Sequence, residues 1–252
     1  MKFNIDYEFL VIKTYLIGGK EPKLRERQLN ENKSQTEISN IVINDDHIEV
    51  TGYQSFKISK NKIYDENRKL NDNKKKTITQ IITDNKDNCS TIFDFGCSQG
   101  FYSFFAYFQN YSVKAFDHDP TYVNNLQVIK SHFNFDNFEI IKKKFSDVNN
   151  DQNADICLFL ALIHWVYKCT DNMGSLKKII NKLFDMTNKI LIIEWIDPQI
   201  LNQMETYGQY FEYVDIQNDY NLENFENCLK KFKKYEIYDS SHPTRKIYVC
   251  YK

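Results

Sequence analysis

The stretch TIFDFGCSQGFYSF, residues 91–104, holds two of the seven glycines in a chain of 252 residues. Gly96 and Gly100 follow an apolar run that predicts a strand at 91–95, and they precede a helix predicted at 100–109. Gly96 permits a sharp turn that brings the backbone against a ligand, and Gly100 permits close packing of helix on strand. With the free N–H groups at the start of the helix, the stretch outlines a nucleotide-type site.

Three interpretations of this glycine turn remain open on these residues alone. A phosphate cradle requires GxxxxGK followed by Ser or Thr, or GxGxxG, and neither is present, because Cys97 and Ser98 replace a second early glycine. A ligand with an amino-acid end fits better, since Asp94 at the end of the strand can accept from an ammonium group. The third interpretation is a plain strand-to-helix turn that uses glycine.

A second strand end carries acids about 20 residues further on, in VKAFDHDP, residues 113–120. A carboxylate at the end of the strand after a glycine turn is placed to bind the two hydroxyls of a ribose, and Asp117 has that position. Asp119 stands directly before Pro120, an arrangement that also predicts the N-cap and first residue of a helix. The pair of strand ends favours a nucleoside ligand.

The remaining pattern predicts an α/β fold. Strand and helix patterns alternate from residue 76, which indicates βαβ units and a doubly wound, mostly parallel sheet, with an antiparallel pair of closing strands at one edge. Further strands are predicted at 113–117, 138–141, 155–161, 189–195, 235–239 and 246–251. Further helices are predicted at 76–85, 120–131, 174–184 and 222–232.

Residues 1–70 differ in pattern and are predicted to form a small N-terminal α+β extension to a main domain at 71–252. Two β-like runs, Ile41–Ile43 and His47–Ile58, flank a polar turn at 44–46. The segment GYQSF, residues 52–56, is interpreted as part of an ordinary strand or as a lining of the substrate mouth. The extension is a candidate for substrate recognition.

The totals exclude several classes of protein. With 33 basic and 34 acidic residues the net charge is −1, so overall charge gives no argument for nucleic-acid binding. Six cysteines without a CxxC spacing predict neither a disulfide framework nor a zinc site, and no metal is expected. The N-terminus has no signal-peptide pattern and no apolar run is long enough to span a bilayer, so we expect a cytoplasmic protein without a membrane partner.

Five motifs together resemble those of class I S-adenosylmethionine-dependent methyltransferases over residues 80–252. They are DFGCSQG (94–100), FDHDP (116–120), FSDV (145–148), ADICLFLALIHW (154–165) and KILIIEWIDP (189–198). The resemblance implies a Rossmann-like sheet of seven strands, with S-adenosyl-L-methionine as cofactor and S-adenosyl-L-homocysteine as product. The cofactor-binding residues that it implies are Asp94, Gly96, Cys97, Ser98, Gly100, Asp117, His118, Ser146, Asp147 and Leu160.

The same resemblance assigns parts of the cofactor to parts of the sequence. It implies that the glycine loop holds the methionine part and that Asp117 binds the ribose. Asp147 accepts from the adenine amino group, Phe145 packs on the adenine ring, and Leu160 lies beneath the sulfonium.

Candidate catalytic residues follow the fourth and fifth strands. His164 is predicted as a general base, with a structural hydrogen bond or a substrate contact as alternatives. Glu194 and Asp197 could orient His164 or bind a polyol, although Asp197-Pro198 also fits a helix start. Aromatic residues of the same segments are interpreted as walls of a substrate pocket or as core; they are Trp165, Tyr167 and Trp195.

The predicted function is O-methylation of a sugar, a glycan precursor or another small hydroxylated molecule. No Asn/Asp-Pro-Pro-Tyr/Phe motif follows the fourth strand. Its absence argues against amino groups of bases and of glutamine as the methyl acceptor. An RNA or mRNA-cap methyltransferase is the alternative within the class. From another class, an inactive cofactor-binding partner or scaffold subunit fits the same motifs. The oligomeric state is not predicted.

Overall fold

The computed structural model describes residues 40–65, 72–169, 173–198 and 219–252. All of them lie in one unit, Ile38–Lys252. Its main sheet has seven strands, which are β5 (Thr91–Phe95), β6 (Ser112–Asp117), β7 (Phe138–Lys142), β8 (Ala154–Phe159), β9 (Thr187–Ile196), β10 (Lys234–Asp239) and β11 (Arg245–Tyr251).

The order of the strands in this sheet is β10-β11-β9-β8-β5-β6-β7. Strands β5 to β9 pair in parallel, whereas β11 pairs antiparallel with both β9 and β10. This arrangement confirms the predicted doubly wound, mostly parallel sheet with antiparallel strands at one edge. Because the parallel strands point the same way, their carboxyl ends meet at one edge of the sheet.

Helices cover both faces of the sheet. They are α1 (Asn73–Asp84), α2 (Phe101–Phe108), α3 (Pro120–Phe133), α4 (Ile163–Cys169), α5 (Leu176–Met186) and α6 (Leu222–Leu229). Helices α1, α2 and α3 contribute to one buried cluster and α4, α5 and α6 to another. Successive strand residues such as Ile92 and Phe93 belong to different clusters, because side chains along a strand point to opposite faces of the sheet in turn.

The start of α3 shows how the local sequence sets an element boundary. Asp119 is the N-cap, and its Oδ1 accepts a hydrogen bond of 2.7 Å from the backbone N–H of Thr121. Pro120 occupies the first helical position, where no backbone donor is required. The predicted helix start at residue 120 is confirmed.

A second, antiparallel sheet has the order β1-β2-β3-β4. Its strands are β1 (Ile41–Ile43), β2 (His47–Val50), β3 (Phe56–Ser59) and β4 (Lys62–Asp65). The single run predicted at His47–Ile58 is wrong, because the chain reverses at 51–55 and Phe56 pairs with Val50. Gly52 adopts a φ of 125° and exchanges hydrogen bonds with the hydroxyl of Ser55, which forms the turn.

Strand β4 was not predicted, since its four residues follow β3 after a two-residue turn and carry little apolar alternation. The rest of the predicted extension, residues 1–39 and 66–70, lies outside the described residues, and the boundary near residue 70 stays a prediction. Within the described segments, no helix has the length and apolar character needed to cross a bilayer.

Candidate cofactor and active site

The carboxyl ends of β5 and β8 form the topological switch point of the sheet. The chain continues from β5 towards β6 on one side, while β8 and β9 lie on the other side. Ligands of such sheets bind in the crevice at this point. The loops after β5 and β8 meet there: Gly96 has a φ of 66°, and a Cβ on it would lie 2.9 Å from Cδ2 of Leu162. Both the positive φ and the closeness of Leu162 therefore favour a residue without a side chain at position 96.

The glycine loop is held by backbone hydrogen bonds to the next strand. The N–H groups of Gly96 and Cys97 both donate to the carbonyl of Phe116, at 2.9 and 3.1 Å. Gly100, with a φ of 84°, is the N-cap of α2, and a Cβ there would clash with Cδ2 of Leu126 on α3. Gly100 thus permits close approach of α2 and α3, a helix–helix contact in place of the predicted helix–strand contact.

Asp117 at the end of β6 faces the glycine loop. Its side chain is 7% exposed. Its Oδ2 accepts from the N–H of Ser98 at 2.9 Å, and its Oδ1 accepts from the N–H of Asp119 at 3.0 Å. Burial raises the pKa of Asp117, while these hydrogen bonds oppose the rise. The exposed His118 places Nδ1 3.7 Å from Oδ1 of Asp117, so both predicted residues lie at the loop.

Asp94 is buried on the α2 side of the same loop. The hydroxyl of Ser103 donates to Asp94 Oδ2 at 2.6 Å. Burial raises the pKa of Asp94 to about 6, and the hydrogen bond from Ser103 only partly opposes this shift. A buried carboxylate of this kind is stabilised by an incoming cation, because opposite charges attract strongly where water is excluded. The thiol of Cys97 is buried as well, and burial raises its pKa.

The predicted adenine-binding residues follow β7 in a short 3-10 helix, Phe145–Asp147. The hydroxyl of Ser146 donates to Oδ1 of the exposed Asp147 at 2.7 Å. Phe145 is buried, with its ring centroid 5.2 Å from that of Phe95 and 4.9 Å from that of Phe159. The ring of Phe145 therefore belongs to the core, whereas Ser146 and Asp147 stand at the edge.

Leu160 and His164 lie in the segment that follows β8. Leu160 is half-buried and follows the strand directly, and Ala161 adopts a φ of 50°. His164 is the second residue of α4; it is buried, and its ring centroid lies 5.1 Å from that of Trp165. Because Leu162 between them contacts the glycine turn, this segment and the loop after β5 share one edge. The role of His164 stays a prediction.

Glu194 makes contacts that the sequence did not predict. Its carboxylate is 0% exposed; Oε2 accepts from Nζ of Lys74 at 2.6 Å, and Oε1 accepts from the hydroxyl of Ser240 at 2.6 Å. The two oxygens predicted to orient His164 or bind a polyol are thus engaged by α1 and by the segment after β10. Asp197, the other predicted acid, lies just beyond β9 and is partly exposed.

Lys74 was missed because it stands in the run KKK, where a lysine is expected on a solvated face. Burial would lower the pKa of Lys74, but Glu194 and Tyr53 together outweigh burial and raise it. Burial would likewise raise the pKa of Glu194, yet Lys74 holds it below its usual range. Both groups are therefore charged at neutral pH, and they link α1 to β9 at the carboxyl edge of the sheet.

The aromatic residues predicted to wall a substrate pocket divide into two groups. Trp195 is buried and stacks between Tyr220 and Phe225, with centroids 4.6 and 4.5 Å away. Tyr167 is buried too, with its ring 5.0 Å from that of Tyr220. Core packing accounts for both positions, which was the alternative interpretation. Trp165 is partly exposed and stays a candidate wall.

Several solved structures share this fold at low sequence identity. Monomeric WbdD matches with a TM-score of 0.52 and 14% identity, over 74% of this chain and 42% of the other. The PH0226 protein from Pyrococcus horikoshii OT3 matches with a TM-score of 0.53 and 13% identity, over 71% of this chain and 89% of its own. The chain spans about two fifths of the length of the WbdD chains, whose protein is described as a bifunctional kinase-methyltransferase.

Magnesium protoporphyrin IX methyltransferase ChlM from Synechocystis PCC 6803, solved with bound SAH, matches with a TM-score of 0.51 and 12% identity, over 71% of this chain and 83% of the other. No curated protein sequence matches the chain significantly. The strand order and the glycine loop are those of the class I S-adenosylmethionine-dependent methyltransferase fold, and the predicted resemblance is confirmed. Within that class, the chain belongs to the family of the tellurite resistance protein TehB, whose model matches residues 56–221.

Proposed function

We propose that the protein binds S-adenosylmethionine at the switch point and methylates an oxygen of a sugar, a glycan precursor or another small hydroxylated molecule. The observation that carries the proposal is the carboxylate of Asp117, which is buried beside the glycine loop and accepts from the N–H of Ser98. A carboxylate at the end of the second strand is where this fold binds ribose hydroxyls.

The other residues of the crevice fit the same ligand. Asp94 suits its ammonium group, because a cation stabilises a carboxylate whose pKa burial has raised. Gly96 and Gly100 give the loop the positive φ angles of 66° and 84° that turn it at the end of β5, where the methionine part is expected. Ser146 and Asp147 follow β7, and we assign them to the adenine. The ligand supplies a methyl group on positively charged sulfur, so the protein's task is to align the acceptor and remove its proton.

We assign to His164 the role of the general base that takes the proton from the acceptor hydroxyl. Its position at the start of α4, beside a loop that contacts Gly96, supports a role near the reacting oxygen. An imidazole has an ordinary pKa near 6.5, which suits a general base at neutral pH. We assign Glu194 a positioning role, in which it holds Lys74 of α1 and Ser240 at the same edge of the sheet. We expect the reaction to take place in the cytoplasm with a small-molecule partner.

A calorimetric titration with S-adenosylhomocysteine tests the proposed cofactor site. Asp117→Ala should weaken binding by about 10- to 100-fold, because hydrogen bonds to a charged group contribute about 1.5–3 kcal/mol. Asp151→Ala removes an exposed acid outside the crevice and should leave the affinity unchanged. Equal affinities for the wild type and Asp117→Ala would remove the ribose role, and no heat with the wild type would remove the function.

The acceptor is tested separately, with radiolabelled S-adenosylmethionine and a panel of free sugars, sugar nucleotides and capped RNA. We expect transfer to a sugar hydroxyl, with capped RNA inactive in line with the net charge of −1. Label transferred only to capped RNA would overturn the choice of acceptor and leave the cofactor site intact.

The family match supports tellurite resistance as a second candidate function. Expression of the chain in a tellurite-sensitive bacterial host should then raise the tolerated tellurite concentration. Asp117→Ala should abolish that gain if tolerance depends on the proposed cofactor site. No gain with the wild type, at matched expression, would remove this candidate.

A further inference from the structure

The side chain of Gln99 joins the glycine loop to the second sheet. Gln99 is 1% exposed. Its Nε2 donates to the carbonyl of Thr51, and its Oε1 accepts from the N–H of Gln54 at 3.1 Å. Because a carbonyl and an N–H receive opposite ends of the amide, only one orientation of the side chain satisfies both. The amide thus pairs with the turn at 51–55 as a neighbouring strand would.

The side chain of Gln54 makes a hydrogen bond with the start of α2. Its Oε1 accepts from the N–H of Phe101 at 3.3 Å. The first N–H groups of a helix have no partner within the helix, and Gly100 at the N-cap has no side chain to supply one. A residue of the turn between β2 and β3 therefore caps the helix that follows the glycine loop. Gln99 and Gln54 together form a glutamine clasp across the two sheets.

Apolar packing holds the chain on the far side of the turn. Phe56, the first residue of β3, is fully buried. Its ring centroid lies 5.9 Å from that of Phe101 and 6.2 Å from that of Phe104, both on α2. The turn at 51–55 is thus fixed at one end by the clasp and at the other by this aromatic cluster.

The same turn carries Tyr53 towards the carboxyl edge of the main sheet. The side chain of Tyr53 is 54% exposed. Burial lowers the pKa of Lys74, while Glu194 and then Tyr53 raise it, so the phenol lies within electrostatic range of the buried ion pair. Tyr53 also interacts with the buried Tyr102 of α2, whose pKa is raised chiefly by burial.

We propose that Gln99 is a positioning residue that fixes the turn at 51–55 on the glycine loop and thereby makes the second sheet a wall of the cofactor site. The inference rests on the proposed function, because it takes the glycine loop as the place where the cofactor binds. Its consequence is thermodynamic coupling. A ligand that orders the glycine loop also orders the turn, and the turn stabilises the ligand-bound loop by the same free energy.

Hydrogen–deuterium exchange of the full chain, with and without S-adenosylhomocysteine, measures this coupling. In the wild type the ligand should slow exchange in peptides covering 51–56 by about fivefold or more, the lower end of usual coupling free energies. Gln99→Ala should remove that ligand-dependent slowing. Its affinity for the ligand, by calorimetry, should fall by the same factor. Gln80→Ala, an exposed glutamine on α1, should behave as the wild type does.

Two variants of Gln54 distinguish an effect of the clasp's hydrogen bonds from a general loosening of the fold. Gln54→Glu keeps an oxygen acceptor for the N–H of Phe101, and its negative charge is favourable at a helix N-terminus, so coupling should be retained. Gln54→Leu keeps the size and removes the acceptor, so coupling should be lost. Denaturant unfolding of each variant should show a cooperative transition, which establishes that the variants are folded.

The outcomes also distinguish the inference from the proposed function. Wild-type protein that binds S-adenosylhomocysteine without slowing at 51–56 would overturn the inference alone, as would slowing that persists in Gln99→Ala. No binding by the wild type would overturn the proposed function. In that case exchange without ligand still decides the role of Gln99: the turn should exchange faster in Gln99→Ala, and equal rates would overturn the clasp.

Discussion

Replacing Lys74 by methionine should destabilise the protein strongly, because the change leaves the carboxylate of Glu194 buried without its cation. The 2.6 Å ion pair joins α1 to β9, and Glu194 is fully buried. Methionine fills a similar volume, so the main cost is electrostatic. Removing one partner of a buried pair costs about 3–5 kcal/mol, a large share of the roughly 5–15 kcal/mol that stabilise an ordinary domain.

The pH dependence identifies the cause of that loss. In the wild type the pKa of Glu194 lies below its usual range, so its contribution is present above the unfolded pKa and disappears only as the pH falls through the lower folded value. In Lys74→Met the uncompensated, buried Glu194 should have a raised pKa and should take up a proton in mild acid. The difference in stability between the two proteins should therefore shrink between about pH 8 and pH 5.

Urea unfolding of the wild type, Lys74→Met and Lys76→Met measures these differences; Lys76 is exposed on the same helix and serves as the control. Adding Glu194→Gln to Lys74→Met removes the uncompensated charge and should recover most of the lost stability. A loss of less than about 1 kcal/mol near pH 8, or a deficit that stays constant down to pH 5, would refute the reasoning.

Three further predictions concern the crevice. Gly100→Ala should destabilise the protein by about 1–2 kcal/mol for the left-handed backbone alone, and by more because Leu126 must move, as thermal unfolding with Gly174→Ala as an uncrowded control would show. Affinity for S-adenosylhomocysteine should fall about tenfold per pH unit below about pH 6, where free Asp94 becomes protonated, and Asp94→Asn should bind weakly at every pH; a pH-independent affinity in the wild type would contradict this role. His164→Ala should lower turnover of the acceptor found by the screen by about 100-fold with little change in cofactor affinity, and an unchanged rate would remove it as the base.

Elements marked by strong local chemistry were predicted closely from the sequence. Strand β5 has the predicted bounds, Thr91–Phe95, because its apolar run ends at a glycine, which adopts its φ of 66° without a steric penalty. Helix α3 begins at the predicted Pro120, because Asp119 supplies a cap and proline suits the first helical position.

Contacts between distant segments were not predicted. Lys74 and Glu194 are 120 residues apart, and Gln99 and Thr51 are 48 apart. Nothing in the local pattern of a lysine run or a single glutamine indicates which side chain is buried or what it meets. The break in the run His47–Ile58 was missed for a related reason, since Gly52 and one serine hydroxyl outweigh the β propensity on either side.

The two backbone hydrogen bonds to Asp117 have a consequence for how tightly a sugar can bind beside it. An ionised carboxylate offers roughly four lone-pair positions, and Ser98 and Asp119 occupy one on each oxygen. One position therefore remains on each oxygen, which matches a vicinal diol. Since the side chain is already immobile, a diol arriving there avoids the loss of rotamer freedom, about 0.5–1.5 kcal/mol, that a mobile acid would incur. Asp117 is in this sense preorganised.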